Sequence, residues 1–188
     1  MKRLIGSSIA AVALMLSAPA FAATITCPDD DPDATRFVTV TTDAGTYTGT
    51  LQCGLYGTGD QNALMDAFED AGYTELDKID DVDGTSTFLK VTGIGETSGT
   101  FAIKPNVDGG AVLVFKFGAG GGDPDWIGVV FVDDITSKVT GTWSTNLNQA
   151  LSNISLWGTG TSVPEPGTMA LLGVGLLGLA VLRRRRNA

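Results

Sequence analysis

Short runs in which apolar and hydrogen-bonding side chains alternate, broken every few residues by Gly, Asn, Asp or Pro, leave this chain few ways to fold. Residues 87–92, 99–104, 140–144 and 154–157 carry such runs, as do residues 73–78. Alternation with a period of two places successive side chains on opposite faces, the pattern of a half-buried strand. Residues 111–117 and 126–132 are apolar almost throughout and belong in the middle of a sheet. Turn signals separate these runs at Asp83-Gly84, at residues 106–110 and 118–124, and at Asp133-Asp134. Upstream, residues 23–26 and 37–41 read as strands. Residues 46–53, after the turn Asp43-Ala44-Gly45, read as a strand that pairs back on 37–41 in a hairpin. One segment has helical spacing, residues 60–71. Asp60 stands where an N-cap is expected, Gly72 where a helix ends, and Leu64, Ala67, Phe68 and Ala71 share a face. About eight to ten short strands and one short helix predict a mainly β fold, an antiparallel β-sandwich or jelly-roll-like domain.

The two ends of the chain have a different character. Met1-Lys2-Arg3, an apolar stretch from Leu4 to Leu16 and Ala20-Phe21-Ala22 read as a secretory signal peptide over residues 1–22, with Ala23 as the first mature residue and a cut at Ala18-Pro19-Ala20 as the alternative. At the other end, residues 159–162 read as a linker. Val163-Pro164-Glu165-Pro166 follows, then MALLGVGLLGLAVL over residues 169–182, then Arg183, Arg184, Arg185 and Arg186. As a helix the apolar run would span roughly 21 Å, short against about 30 Å of hydrocarbon. Arginines after an apolar run stop it on the cytoplasmic side, which places the preceding residues outside the inner membrane. The two prolines keep the segment before it extended and open to a protease.

Pro-Glu-Pro, a short apolar helix and a terminal Arg cluster, in that order, resemble the PEP-CTERM sorting signal over residues 163–188. The resemblance implies an exosortase as processing partner. It implies recognition through Val163, Pro164, Glu165 and Pro166, transient membrane retention through residues 168–182, and a membrane stop at Arg183 to Arg186. It further implies a final place at the cell surface or outside the cell, in association with exopolysaccharide, as in biofilm formation. Gly72-Tyr73 and Thr140-Gly141-Thr142-Trp143 also resemble segments of the sandwich-type ectodomains that precede this signal, a likeness that implies a fold and no activity.

The formal net charge of −9 understates the acidity of the mature part. From Ala23 to Pro166 only Arg36, Lys78, Lys90, Lys104, Lys116 and Lys138 oppose all 21 acids. Such a surface repels nucleic acid and anionic lipid, so no nucleic-acid partner is expected. The two cysteines, Cys27 and Cys53, form an even pair in an oxidising compartment and are read as one disulfide, with two free thiols as the alternative.

The chain contains no histidine, which removes Ser-His-Asp and Cys-His arrangements and imidazole bases together. The leading expectation is therefore a non-enzymatic protein. Carboxylate pairs remain as a catalytic option, with Asp123 and Asp125 beside Trp126 the most suggestive, as in a small polysaccharide-acting enzyme. Trp126, Trp143 and Trp157 would form a sugar platform if exposed, as in a carbohydrate-binding module, and core residues if they lie in strands as read. Asp77, Asp80, Asp81 and Asp83, before Gly84, form a carboxylate-rich turn of the kind that binds calcium, although the full EF-hand pattern is absent.

Overall fold

The computed structural model of the protein describes residues 21–80, 83–118, 122–146 and 151–159. The signal peptide expected over residues 1–22, apart from Phe21 and Ala22, the linker after Thr159 and the sorting segment lie outside the described residues. Eleven strands and one helix follow in chain order: β1 (Thr24–Cys27), β2 (Val38–Thr42), β3 (Leu51–Gly57), α1 (Gln61–Asp70), β4 (Thr74–Ile79), β5 (Asp83–Thr85), β6 (Leu89–Thr92), β7 (Ser98–Ile103), β8 (Ala111–Phe117), β9 (Trp126–Phe131), β10 (Val139–Thr145) and β11 (Leu151–Gly158). All pairings are antiparallel. The first sheet has the order β1-β2-β10-β7-β6-β5 and the second the order β3-β9-β8-β11-β4.

The alternation read in the sequence decides which side chains lie between the sheets. In β2, Val38 and Val40 point inward and Thr39 and Thr41 outward. In β8 every residue is buried, because this central strand is covered on both sides. The two sheets meet through aromatic pairs: Phe101 of β7 lies 6.2 Å from Phe131 of β9, and Trp143 of β10 lies 6.0 Å from Phe115 of β8. These separations are those of favourable edge and offset contacts. The expectation of a mainly β, antiparallel chain with one short helix is met.

Helix α1 covers the outer face of the second sheet. β3 and β4 are the two edges of that sheet, and α1 carries the chain across from one to the other. Asp60 caps the helix, its Oδ1 accepting from the amides of Asn62 at 3.0 Å and Ala63 at 3.1 Å. Gly72, at φ 84°, ends it, with the Tyr73 amide donating to the Phe68 carbonyl at 2.9 Å. Leu64 and Phe68 are buried against Val112, Val114, Trp126 and Trp157, a second core separate from the one between the sheets. Among the described residues no helix is long and apolar enough to cross a membrane.

Two sequence expectations give way. Residues 37–41 and 46–53 do not form a hairpin. β2 pairs with β1 and β10 in the first sheet, whereas β3 begins only at Leu51 and pairs with β9 in the second. The segment between them crosses from one layer to the other, held by the Tyr47 hydroxyl. Asp83-Gly84 is not a turn but part of β5, which pairs with β6. Gly84 is there because a Cβ would collide with the Ile79 side chain across the layer.

Cys27 and Cys53 are joined, with Cα atoms 5.4 Å apart. Cys27 ends β1 and Cys53 lies within β3, so the disulfide links the edge of one sheet to the edge of the other.

Candidate functional site

The chain enters β9 through Asp123-Pro124-Asp125, the carboxylates singled out for catalysis. The Asp125 carboxylate is engaged on both oxygens. Oδ1 accepts from Arg36 Nη1 at 2.7 Å and Oδ2 from the Gly59 amide at 2.8 Å. Arg36 is fully buried, with its guanidinium carbon 5.1 Å from the centre of the Phe117 ring, and it also donates to the Pro124 carbonyl at 3.2 Å. Lys116, almost buried on β8, donates from Nζ to the Gly59 carbonyl at 2.9 Å. Asp123 takes part through its backbone: its carbonyl accepts from the amides of Thr35 at 2.8 Å and Arg36 at 3.0 Å.

Burial alone would raise the Asp125 pKa. The Gly59 amide, the hydrogen bond from Arg36 and the charges of Lys116 and Arg36 outweigh it, and hold the carboxyl below its ordinary value. Burial draws the Lys116 ammonium below its own ordinary value. A general acid for glycoside chemistry needs a shift in the opposite direction from that of Asp125. The group clamps three loops, residues 31–36, 57–60 and 122–126, at one end of the second sheet. Arg36 was not singled out from the sequence. The signal was available, since it is the lone arginine between the signal peptide and the tail.

The carboxylates read as a calcium turn are spread over both sheets. Asp77 lies on β4 in the second sheet and Asp83 on β5 in the first. Asp77 is mostly buried and braces the turn into β6: Oδ1 accepts from Ser86 Oγ at 2.7 Å, and Oδ2 from the amides of Phe88 and Leu89, the latter at 2.8 Å. Asp80 is exposed and pairs with Lys78 at 3.0 Å. Asp83 Oδ1 accepts from the Gly93 amide at 3.3 Å. Asp81 lies outside the described residues. Among the described residues no three acids or cysteines stand close enough to hold a metal ion.

The three tryptophans take the core alternative. Trp143 packs between the sheets, and Trp126 and Trp157 lie under α1, with Phe68 5.6 Å and 5.1 Å away. Trp157 Nε1 donates to Ser155 Oγ at 2.8 Å. No tryptophan ring is open to a sugar.

A hollow of about 260 Å³ opens between residues 45–49 and 133–139. Tyr47 forms its back wall, edge-on to Phe131 at 5.2 Å. Its hydroxyl accepts from the Asp133 amide at 3.0 Å and donates to the Thr50 carbonyl at 3.3 Å, and burial raises its pKa. Asp133 Oδ2 accepts from the Thr50 amide at 3.0 Å, and Asp134 Oδ1 from the Gly109 amide at 2.6 Å. The polar groups around the hollow hold its own rim in shape.

The described residues thus define a disulfide-linked domain of two antiparallel sheets whose buried charges brace loops. What directs that domain is carried by the segment after it. The profile of the PEP-CTERM protein-sorting motif matches residues 162–186, and the chain carries this exosortase recognition signature. It is an exported protein directed to an exosortase, with C-terminal membrane anchoring before processing. No curated protein and no solved structure matches the chain. Val163, Pro164, Glu165, Pro166 and Arg183 to Arg186 fall within the matched span and outside the described residues.

Proposed function

We propose that this is a non-enzymatic protein of the bacterial cell surface or extracellular matrix, exported by the signal peptide over residues 1–22 and associated with exopolysaccharide. The membrane holds residues 168–182 until the exosortase acts at Pro164-Glu165-Pro166. The observation that carries the reading is the sorting motif directly behind a disulfide-linked β domain. The engagement of Asp125 and Asp77 as braces and the lack of histidine support a structural or binding role over a catalytic one. We read the domain as a β-sandwich. The β5-β6-β7 meander and the β8-β9 hairpin, each within one sheet, favour a plain sandwich over a jelly roll.

The test is the intact mass of the protein fractionated from its own host, beside a variant with Pro164-Glu165-Pro166 replaced by alanines. The native protein is expected to have lost residues 1–22 and the arginine tail, with the variant retained uncut in the inner membrane. An uncut tail on the native protein would reduce the segment to a plain anchor, and the surface role would fall with it.

A further inference from the structure

The two sheets differ in what lies on their outer faces. The second is apolar there and roofed by α1. The first carries no roof among the described residues, and its outward positions are almost all hydroxyls. Strand register aligns them in rows across the sheet. One row runs Thr24, Thr41, Thr142, Thr100. The next, two residues along each strand, runs Thr26, Thr39, Ser144, Ser98. Between β1 and β2 the neighbours touch: Thr24 and Thr41 hydroxyls are 3.0 Å apart, and Thr26 and Thr39 are 2.8 Å apart. Thr92 of β6 extends the first row, 2.8 Å from Thr100.

No residue of β1, β2, β10 or β7 on this face is charged, in a chain with 21 acids; Asp43, just after β2, bounds it at one end, accepting from Thr140 Oγ1 at 2.5 Å. The first charged outward positions, Lys90 and Asp83, lie beyond β7 in β6 and β5. Sheets exposed to water ordinarily scatter Lys and Glu over such a face to keep it soluble and unpaired. Here hydroxyls repeat about every 4.8 Å across the strands and about every 6.7 Å along them. Each can donate and accept, and each threonine adds a methyl group.

We propose that this hydroxyl face binds a neutral polysaccharide. A sugar chain presents the same mixture of hydroxyls and C–H groups, and neutrality matches four adjacent strands that carry no charged residue. The acidic loops around it repel polyuronates and other anionic polymers. Sheet twist selects a flexible polymer over a crystal lattice. At about 20° per strand the rows turn by about 60° from β1 to β7, which a bending chain can follow and a rigid lattice such as ice cannot. The inference deepens the matrix reading above and depends on it only for where the ligand is met.

The test uses the processed protein purified from its host, co-sedimented with cellulose, insoluble α-glucan and xylan, and with a cross-linked polyuronate as the charged counterpart. Thr39→Glu/Thr100→Glu adds charge to the face at positions that are not neighbours. Asn62→Glu/Thr74→Glu adds the same charge on the exposed side of α1 and on β4. The wild type is expected to be retained by at least one neutral polymer and not by the polyuronate. The face variant should lose at least tenfold in affinity, the control less than twofold, with thermal midpoints reported for all three. Retention by none of the neutral polymers overturns the proposal. So does an equal loss in both variants, or inhibition of ice growth by the wild type that the face variant alone abolishes. Binding and processing are read separately, so failure of one leaves the other standing.

Discussion

Arg36 shows how one residue can organise a region that no local pattern marks. A buried guanidinium is tolerable only when its donors are used, and here an aromatic ring, a carbonyl and a carboxylate surround it. Arg36→Ala leaves a cavity and strips Asp125 of its cation. It is expected to destabilise by about 2–4 kcal/mol in urea unfolding. Asp125 adds a pH dependence of defined sign. Its folded pKa is depressed, so the stability it contributes is complete above the ordinary Asp value of about 3.9. That contribution disappears as pH falls through the depressed folded value. Thermal midpoints of the wild type and of Asp125→Asn should therefore differ at pH 5–7 and converge toward the lowest pH at which both fold. A gap that widens on acidification would show that the carboxylate is not held as a charged group.

At the scale of elements, the helix was the most legible part of the sequence. Asp60, Gly72 and the spacing of Leu64 and Phe68 are local signals, and each is used as read. Strand positions were legible for the same reason, since alternation follows from which face is buried. Partners were not legible. Asp43-Ala44-Gly45 signals a change of direction, but the same residues serve a chain that returns beside its own strand and one that crosses to the other layer. Asp83-Gly84 carried a turn signal, yet the glycine answers to the Ile79 side chain. The carboxylates were visible as clusters, but Asp77 and Asp83 belong to different sheets, which only tertiary structure decides. The helix itself is held by Phe68, which touches Tyr73, Trp126 and Trp157. Phe68→Ala should destabilise by about 3–5 kcal/mol. It should also shift tryptophan emission to the red as Trp126 and Trp157 become hydrated, while Trp143 between the sheets stays buried. Unchanged emission would show that α1 does not seal that face.

Across the whole molecule, the disulfide and the charge oppose each other. An excess of acid favours expansion, and the Cys27–Cys53 bond limits it by closing a separation of 26 residues. Closure of a loop of that size contributes about 3–4 kcal/mol on the chain-entropy account. Cys27→Ser/Cys53→Ser is expected to lower the thermal midpoint by about 10 °C or more, and reductant should do the same to the wild type without affecting the double variant. A midpoint unmoved by either would mean that the contacts between β1 and β3 suffice to hold the edge.

The position of β11 has a mechanical consequence. The strand leads into the sorting segment, and it is hydrogen-bonded on both sides, to β8 and to β4. While the tail is anchored, any drag on the domain is transmitted through this strand. Tension along its axis loads both ladders in shear at once, so their bonds must yield together rather than peel one at a time. An edge strand in that place would unzip under the same pull. The strand nearest the tether is thus a force-bearing anchor bolt, set inside its sheet with a neighbour on either side.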